Sequence, residues 1–159
     1  MRPSTWFLSA LLLLWGCDNP AGLPNLTLGP GLTEVYAHHT SGLRSPTRRV
    51  ITDEASWEAL WDSIQSPFHP PAPRPTVDCS AVRLIVAGMG NRPNGGYLIH
   101  IDRFLDLGDG SGAVFVTSYQ AGSGCATAQM FTQSVHIVAA PLTPSMVSFR
   151  EHHHTYDCG

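Results

Sequence analysis

The sequence predicts an α+β domain: a mainly antiparallel β-sheet with one amphipathic helix packed on it, short strands and Gly-rich turns. Its 159 residues are enough for one domain. Fifteen glycines and 13 prolines indicate frequent turns. From Val82 onward short β-rich runs alternate with turns, whereas only the segment from Asp53 to Ser66 has a clear helical period.

The amino-acid composition limits which classes of function we expect. Nine basic residues, all arginines, stand against twelve acidic ones, which gives a net charge of −3. The arginines form no basic cluster, so we do not expect a nucleic-acid-binding surface. A hydrophobic fraction of 43% is sufficient for a folded core.

The first 16 residues read as a lipoprotein signal peptide. Arg2 precedes an apolar run from Trp6 to Trp15, which is too short to span a bilayer. Leu14, Gly16 and Cys17 resemble the lipobox of bacterial lipoproteins, although Trp15 stands where a small residue is usual. The resemblance implies lipidation of Cys17 and an exported protein anchored to the cell membrane, in the periplasm or at the cell surface. Ordinary signal cleavage is the alternative.

Residues 17–45 are predicted to form a flexible tether, because proline and glycine recur and no long periodic run is present. Leu32 to Ala37 is long enough for a short strand. The domain itself is expected at residues 46–150, followed by a His-rich tail at 151–159.

The domain begins with a predicted strand from Arg48 to Thr52 and continues into the helix. Thr52 or Asp53 supplies the N-cap oxygen. The apolar stripe of the helix has i, i+3, i+4 and i+7 spacing, and its members are the predicted core residues Trp57, Leu60, Trp61 and Ile64. Glu54, Glu58 and Asp62 share another face, which is expected to be exposed.

The rest of the domain is predicted to be strands. Pro67 to Pro75 is an extended surface connection, because proline neither continues a helix nor pairs in a central strand. The predicted strands are Val82 to Met89, Tyr97 to Leu105, Ala113 to Tyr119, a strand within 126–139 and a short one from Ser145 to Phe149. The first of these is nearly all apolar and is predicted to be central.

The order of these signals resembles the PrcB C-terminal domain family. The matching pieces are Trp57 with Leu60 and Trp61, then Val77 to Ser80, Gly88 to Gly90, Asn94 to Tyr97, Gly124 with Cys125, and Gln129. Together they lie within residues 48–149. Cys79 departs from the family pattern, in which phenylalanine is usual.

The resemblance implies a non-catalytic accessory module of the cell envelope that acts through protein–protein contacts. The family is named for a lipoprotein that associates with and stabilises a surface protease complex. An envelope protein, with a protease as one candidate, is therefore the expected partner, and the lipid anchor provides the contact with the membrane.

Gly95, Gly96 and Tyr97 are the predicted binding residues. Two consecutive glycines allow the positive φ that a tight turn needs, and Tyr97 then opens a strand with an amphipathic ring. Two interpretations stay open: a structural turn with a packed aromatic ring, or a lip that contacts a partner.

Three cysteines remain when Cys17 is set aside, and an exported chain permits a disulfide. They allow three single pairings. Because Cys79 stands where the family has a buried aromatic, a buried free thiol suits it, and the preferred pair is Cys125 with Cys158.

A metal site at His152, His153 and His154 is the alternative function: an envelope metal-binding protein that uses a loose tail. Adjacent residues of a strand point to opposite faces, which argues against shared chelation of one ion. No cofactor is expected. Cys125 with His136 is formally a nucleophile and a base, but no sequence signature surrounds either residue, and no enzyme activity is predicted.

Overall fold

A computed structural model describes residues 26–141, 144 and 146–158. Their elements in chain order are strands β1 (Thr33–His38) and β2 (Pro46–Ile51), helix α1 (Glu54–Gln65), and strands β3 (Val82–Met89), β4 (Tyr97–Asp106), β5 (Ser111–Ala121), β6 (Val135–Pro141) and β7 (Met146–Tyr156). The predicted signal peptide and the predicted lipidation residue Cys17 lie outside the described residues.

The strands form two sheets. The first has the order β1-β6-β3-β2 and is antiparallel throughout. The second has the order β4-β5-β7, in which β4 is antiparallel and β7 parallel to β5. The predicted class, α+β with mainly antiparallel sheet and one helix, is confirmed.

Helix α1 covers one face of the first sheet. The Asp53 carboxylate caps it by accepting a hydrogen bond of 2.8 Å from the Ser56 amide. The four side chains of the predicted stripe are all buried: Trp57, Leu60, Trp61 and Ile64. The Trp57 indole donates to the Pro75 carbonyl and the Trp61 indole to the Ala72 carbonyl, both at 3.1 Å. The proline-rich connection is therefore held against the helix.

The second sheet covers the other face of the first one. Strand β3 alternates between the two cores: Leu84 and Val86 face the helix, while Ile85, Ala87 and Met89 pack between the sheets. A strand with apolar residues on both faces needs cover on both sides. This requirement explains why the strands divide into two stacked sheets.

Side chains of β6 and of Ser134, the residue before it, link the sheets at the outer edge of β4. The Ile101 amide donates to Nδ1 of His136 at 2.8 Å, and the Ile99 amide donates to the Ser134 hydroxyl at 3.2 Å. Farther along, the Gly29 amide donates to the Asp102 carbonyl at 2.7 Å. These bonds occupy backbone groups that an edge strand would otherwise leave open.

The structure corrects two boundaries of the predicted organisation. Residues 33–38, placed in the flexible tether, form β1 and pair with β6 from Thr33–Ala139 to His38–Val135. The His-rich segment is not a loose tail, because β7 runs on to Tyr156 beside β5. Its backbone fills the free edge of β5, which a strand ending at Phe149 would leave unpaired.

Among the described residues, no helix has both the length and the apolar character needed to cross a membrane.

Candidate functional site

Two loops and two strand ends meet at one end of the second sheet. The turn 90–96 contacts the loop 122–134 through an amide bond from Gly95 to the Ala128 carbonyl, 2.8 Å long. Arg92 and Thr132 exchange two backbone hydrogen bonds of 2.8 and 3.0 Å. We call the turn 90–96, the loop 122–134 and residues 153–158 the pinned end.

A disulfide fastens the pinned end. Cys125 of the loop is bonded to Cys158 after β7, with 5.1 Å between their Cα atoms, and the predicted pairing is confirmed. The Gly122 amide also donates to the Tyr156 carbonyl at 2.8 Å. The loop is thus tied both to the turn and to the end of β7.

Cys79 is the free cysteine of the described residues. It packs against the helix core but is only half-buried, whereas the sequence analysis predicted a buried thiol. Burial raises its thiol pKa, and the nearby Glu54 carboxylate raises it further.

Gly95 and Gly96 serve close packing and not a left-handed turn, which corrects the predicted role. Of the described glycines, only Gly31, Gly90, Gly108 and Gly110 have positive φ. A Cβ on Gly96 would lie 2.7 Å from side-chain carbons of both Ala121 and Thr127. The missing side chains therefore let the loop 122–134 approach the turn.

Tyr97 lines a hollow of about 270 Å³ at the pinned end, together with Arg92, Gln120, His153 and His154. The Cζ atom of Arg92 lies 5.6 Å from the centre of the Tyr97 ring, which is a cation–π contact. Nε of Arg92 is buried and has no hydrogen-bond partner within the described part of the chain. The structure thus joins a predicted binding residue, Tyr97, with two of the predicted metal ligands and with an arginine that sequence reasoning did not single out.

The loop beside this hollow exposes two large apolar side chains. Phe131 is 71% exposed and Met130 is 56% exposed. Both directly precede Thr132, whose backbone bonds to Arg92. Arginine, tyrosine, phenylalanine and methionine are the residues enriched in protein–protein interfaces.

The three histidines of the predicted metal site are divided between two places. His153 and His154 line the hollow at the pinned end, whereas His152 lies opposite Thr117 and lines another hollow with Asp102. Across residues 26–141, 144 and 146–158, no three His, Cys, Asp or Glu side chains are grouped so as to hold one metal ion.

A buried polar network at the β4 edge escaped sequence reasoning. The His136 ring is 1% exposed and stacks on the His100 ring with 4.7 Å between centres. Its Nδ1 accepts from the Ile101 amide, so the neutral ring keeps its proton on Nε2, which lies 3.3 Å from the Glu34 carboxylate. The sequence does contain one signal of this network, which is a histidine inside the otherwise apolar strand β6.

Asp102 supports the second histidine of this network. Its carboxylate lies 3.0 Å from His100 Nδ1 and accepts from the Thr117 hydroxyl at 2.7 Å. Burial disfavours the ionised carboxylate, but the hydrogen bonds from His100 and Thr117 outweigh it, and the pKa of Asp102 lies below its ordinary value.

The nucleophile and base weighed from the sequence are not assembled. The Cys125 sulfur is oxidised in the disulfide, and the His136 Nδ1 lone pair is occupied by the Ile101 amide.

His136 makes stability depend on pH. Burial and the neighbouring His100 lower the pKa of His136 to about 4, against 6.5 for an ordinary histidine. Between these values the unfolded chain binds more protons. The stabilisation is therefore complete above pH 6.5 and is lost as the pH falls toward 4, by on the order of 3 kcal/mol.

Urea unfolding at a series of pH values from neutral to about 4 measures this loss. The variant His136→Asn places an oxygen near the position of Nδ1, as an acceptor for the Ile101 amide, but does not titrate, so we expect a flatter pH profile. An equal slope in both proteins would contradict the assignment to His136.

Comparison with known proteins finds a similarity over part of the chain. Residues 83–140, from β3 into β6, match the family model described as PrcB C-terminal. This match confirms the resemblance and includes the turn 90–96 and the loop 122–134, whereas helix α1 and β7 lie outside it. The searches of curated proteins and of solved structures gave no significant match.

Proposed function

We propose that this protein is a non-catalytic lipoprotein module of the cell envelope that binds a protein partner through the pinned end, and that the partner belongs to a protease complex. The family match is compatible with an accessory module of this kind. The observation that carries the proposal is the buried Nε of Arg92, which has no acceptor in the described part of the chain although the guanidinium lies by the Tyr97 ring. The Arg92 backbone bonds to Thr132, which follows the exposed apolar residues Met130 and Phe131 in the same loop.

The pinned end is suited to binding because it is preorganised. The disulfide, the Arg92–Thr132 bridge and the Gly95–Ala128 bond each hold the loop 122–134 in place. A loop ordered before binding loses less conformational entropy when a partner docks. Large side chains on such a loop can therefore contribute strongly to affinity.

Lipidation of Cys17 is the second part of the proposal. Two or more acyl chains would anchor the protein stably, because each buried methylene contributes about 0.8 kcal/mol. Incorporation of a labelled fatty acid into the native chain, and its loss in Cys17→Ser, is the measurement. Equal labelling of both chains would contradict lipidation at this residue.

Crosslinking and pull-down of the full chain from its native membrane tests the partner. Changing Met130 and Phe131 together to serine is expected to reduce recovery of the crosslinked partner about tenfold or more, because two exposed anchors are lost.

The matched control changes two exposed leucines at the opposite end of the second sheet, Leu105 and Leu107, to serine. These residues belong to the β4–β5 hairpin, and we expect recovery to stay near that of the unchanged protein. Equal losses in both double variants, or no specific partner with the unchanged chain, would overturn the proposed surface.

A further inference from the structure

We propose that the hollow at the pinned end is a carboxylate-binding site, in which Arg92 receives a carboxylate that the protein partner presents. This inference rests on the proposed function, since it states the chemistry of the partner group at the same surface. The ligand is either the C-terminal carboxylate of the partner or an aspartate or glutamate side chain.

Arg92 has unused hydrogen-bonding capacity. A guanidinium carries five N–H donors in a planar fork. In the described part of the chain, Nε of Arg92 is buried and meets no acceptor. A buried donor left without an acceptor is unfavourable, so the fold leaves this guanidinium with bonding capacity that a ligand at its edge can use.

The Tyr97 ring holds the guanidinium at the hollow. The Cζ atom of Arg92 lies over this ring, with 5.6 Å between Cζ and the ring centre. A cation–π contact of this kind does not use the N–H groups at the edge of a guanidinium as hydrogen-bond donors. Arginine binds carboxylates bidentately through that edge.

The charge of the residues that line the hollow also favours a carboxylate. No aspartate or glutamate lines the hollow, and the other polar groups around it include the Ser118 and Thr155 hydroxyls and the Gln120 amide. Arg92 is the one permanently charged lining residue. A single positive charge matches a carboxylate monoanion better than a phosphate near its dianionic form.

A titration of the full chain, followed through the NMR signal of the Arg92 Nε–H group, is the direct test. Acetate and N-acetyl-glutamate amide are expected to shift this signal and the Tyr97 ring signals saturably, with dissociation constants in roughly the millimolar range. Acetamide, which has the shape of acetate without its charge, is the control and should leave the signal in place.

Two further probes separate the sources of the ligand. A short peptide with a free C-terminus and the same peptide amidated but carrying one internal glutamate report on the terminal and the side-chain carboxylate, and binding of either one supports the site. Inorganic phosphate at matched concentration is expected to shift the signal at least several-fold less than acetate. An equal or larger response to phosphate would overturn the preference for carboxylates.

Variants assign the effect to Arg92. Arg92→Gln is expected to abolish the acetate response of the Tyr97 ring, and Arg92→Lys to weaken binding about tenfold, because lysine keeps the charge but loses the planar fork. Arg103→Gln is the matched control, since Arg103 also stacks on an aromatic ring, that of Phe115 at 4.3 Å, outside the hollow. It should bind acetate like the unchanged protein.

The two proposals fail in distinguishable ways. If no carboxylate probe shifts the Arg92 signal while the membrane partner is still captured, the carboxylate site is wrong and the binding surface stands. If the probes bind but no partner is captured, the site stands and the proposed function is wrong.

Discussion

Replacing Trp57 with alanine is expected to lower the free energy of unfolding by about 3–5 kcal/mol. The Trp57 side chain is fully buried and lies 5.5 Å from the Trp61 ring, between centres, in the core under helix α1. The change leaves a large cavity between the helix and the first sheet. It also removes the indole bond to the Pro75 carbonyl, which helps to hold the proline-rich connection.

Chemical unfolding at neutral pH measures this loss. Trp57→Phe keeps most of the volume and is expected to cost less than alanine. Glu58→Ala changes the adjacent, exposed residue of the same helix and should stay within about 0.5 kcal/mol of the unchanged protein. A loss below about 1 kcal/mol for Trp57→Ala would contradict the packing of the helix on the sheet.

Removing the disulfide is expected to have the second large effect, about 3–4 kcal/mol, in the double variant Cys125→Ser with Cys158→Ser. The two cysteines are 33 residues apart, so the bond restricts a long loop of the unfolded chain. In the folded state it fixes the loop 122–134, and we expect partner recovery to fall in the same variant because preorganisation is lost.

Hydrogen exchange and chemical unfolding give the two readouts for this variant. Faster exchange should be confined to the pinned end, with the Gly122 and Gly95 amides as reporters. Cys79→Ala is the control, because it removes the free cysteine without changing the bond. Unchanged exchange at the pinned end would show that other contacts hold the loop.

Elements with one dominant physical signal were predictable from the sequence. The tryptophan stripe fixed which face of α1 is buried, and the apolar run from Val82 to Met89 matched β3 at both ends. The disulfide was predicted from the family resemblance together with the predicted export signal.

Features that depend on contacts between distant segments were not predictable in this way. Strand β1 is stabilised by its pairing with β6, about a hundred residues later. The sequence suggested a short strand from Leu32 to Ala37 but placed it within a flexible tether. The exposed histidines of β7 look like a tail until the open edge of β5 is known. A parallel partner for β5 has no local sequence signal at all.

The candidate site was predictable in part for the same reason. Tyr97 was predicted as a binding residue from the motif that precedes β4. Arg92 was not singled out, because the sequence does not show that its Nε is buried without an acceptor. Gly95 and Gly96 were found with the wrong role, since close approach by a remote loop is invisible in the local sequence.

The bonds from the Ile99 and Ile101 amides to the side chains of Ser134 and His136 have a consequence for solubility. An open edge of a sheet is a template on which other chains can add strands, which leads to aggregates and fibres. Ser134 and His136 prevent this at β4 by occupying its outward amides. Protonation of Nδ1 turns the His136 acceptor into a donor, so acidification removes part of this protection against polymerisation along the β4 edge.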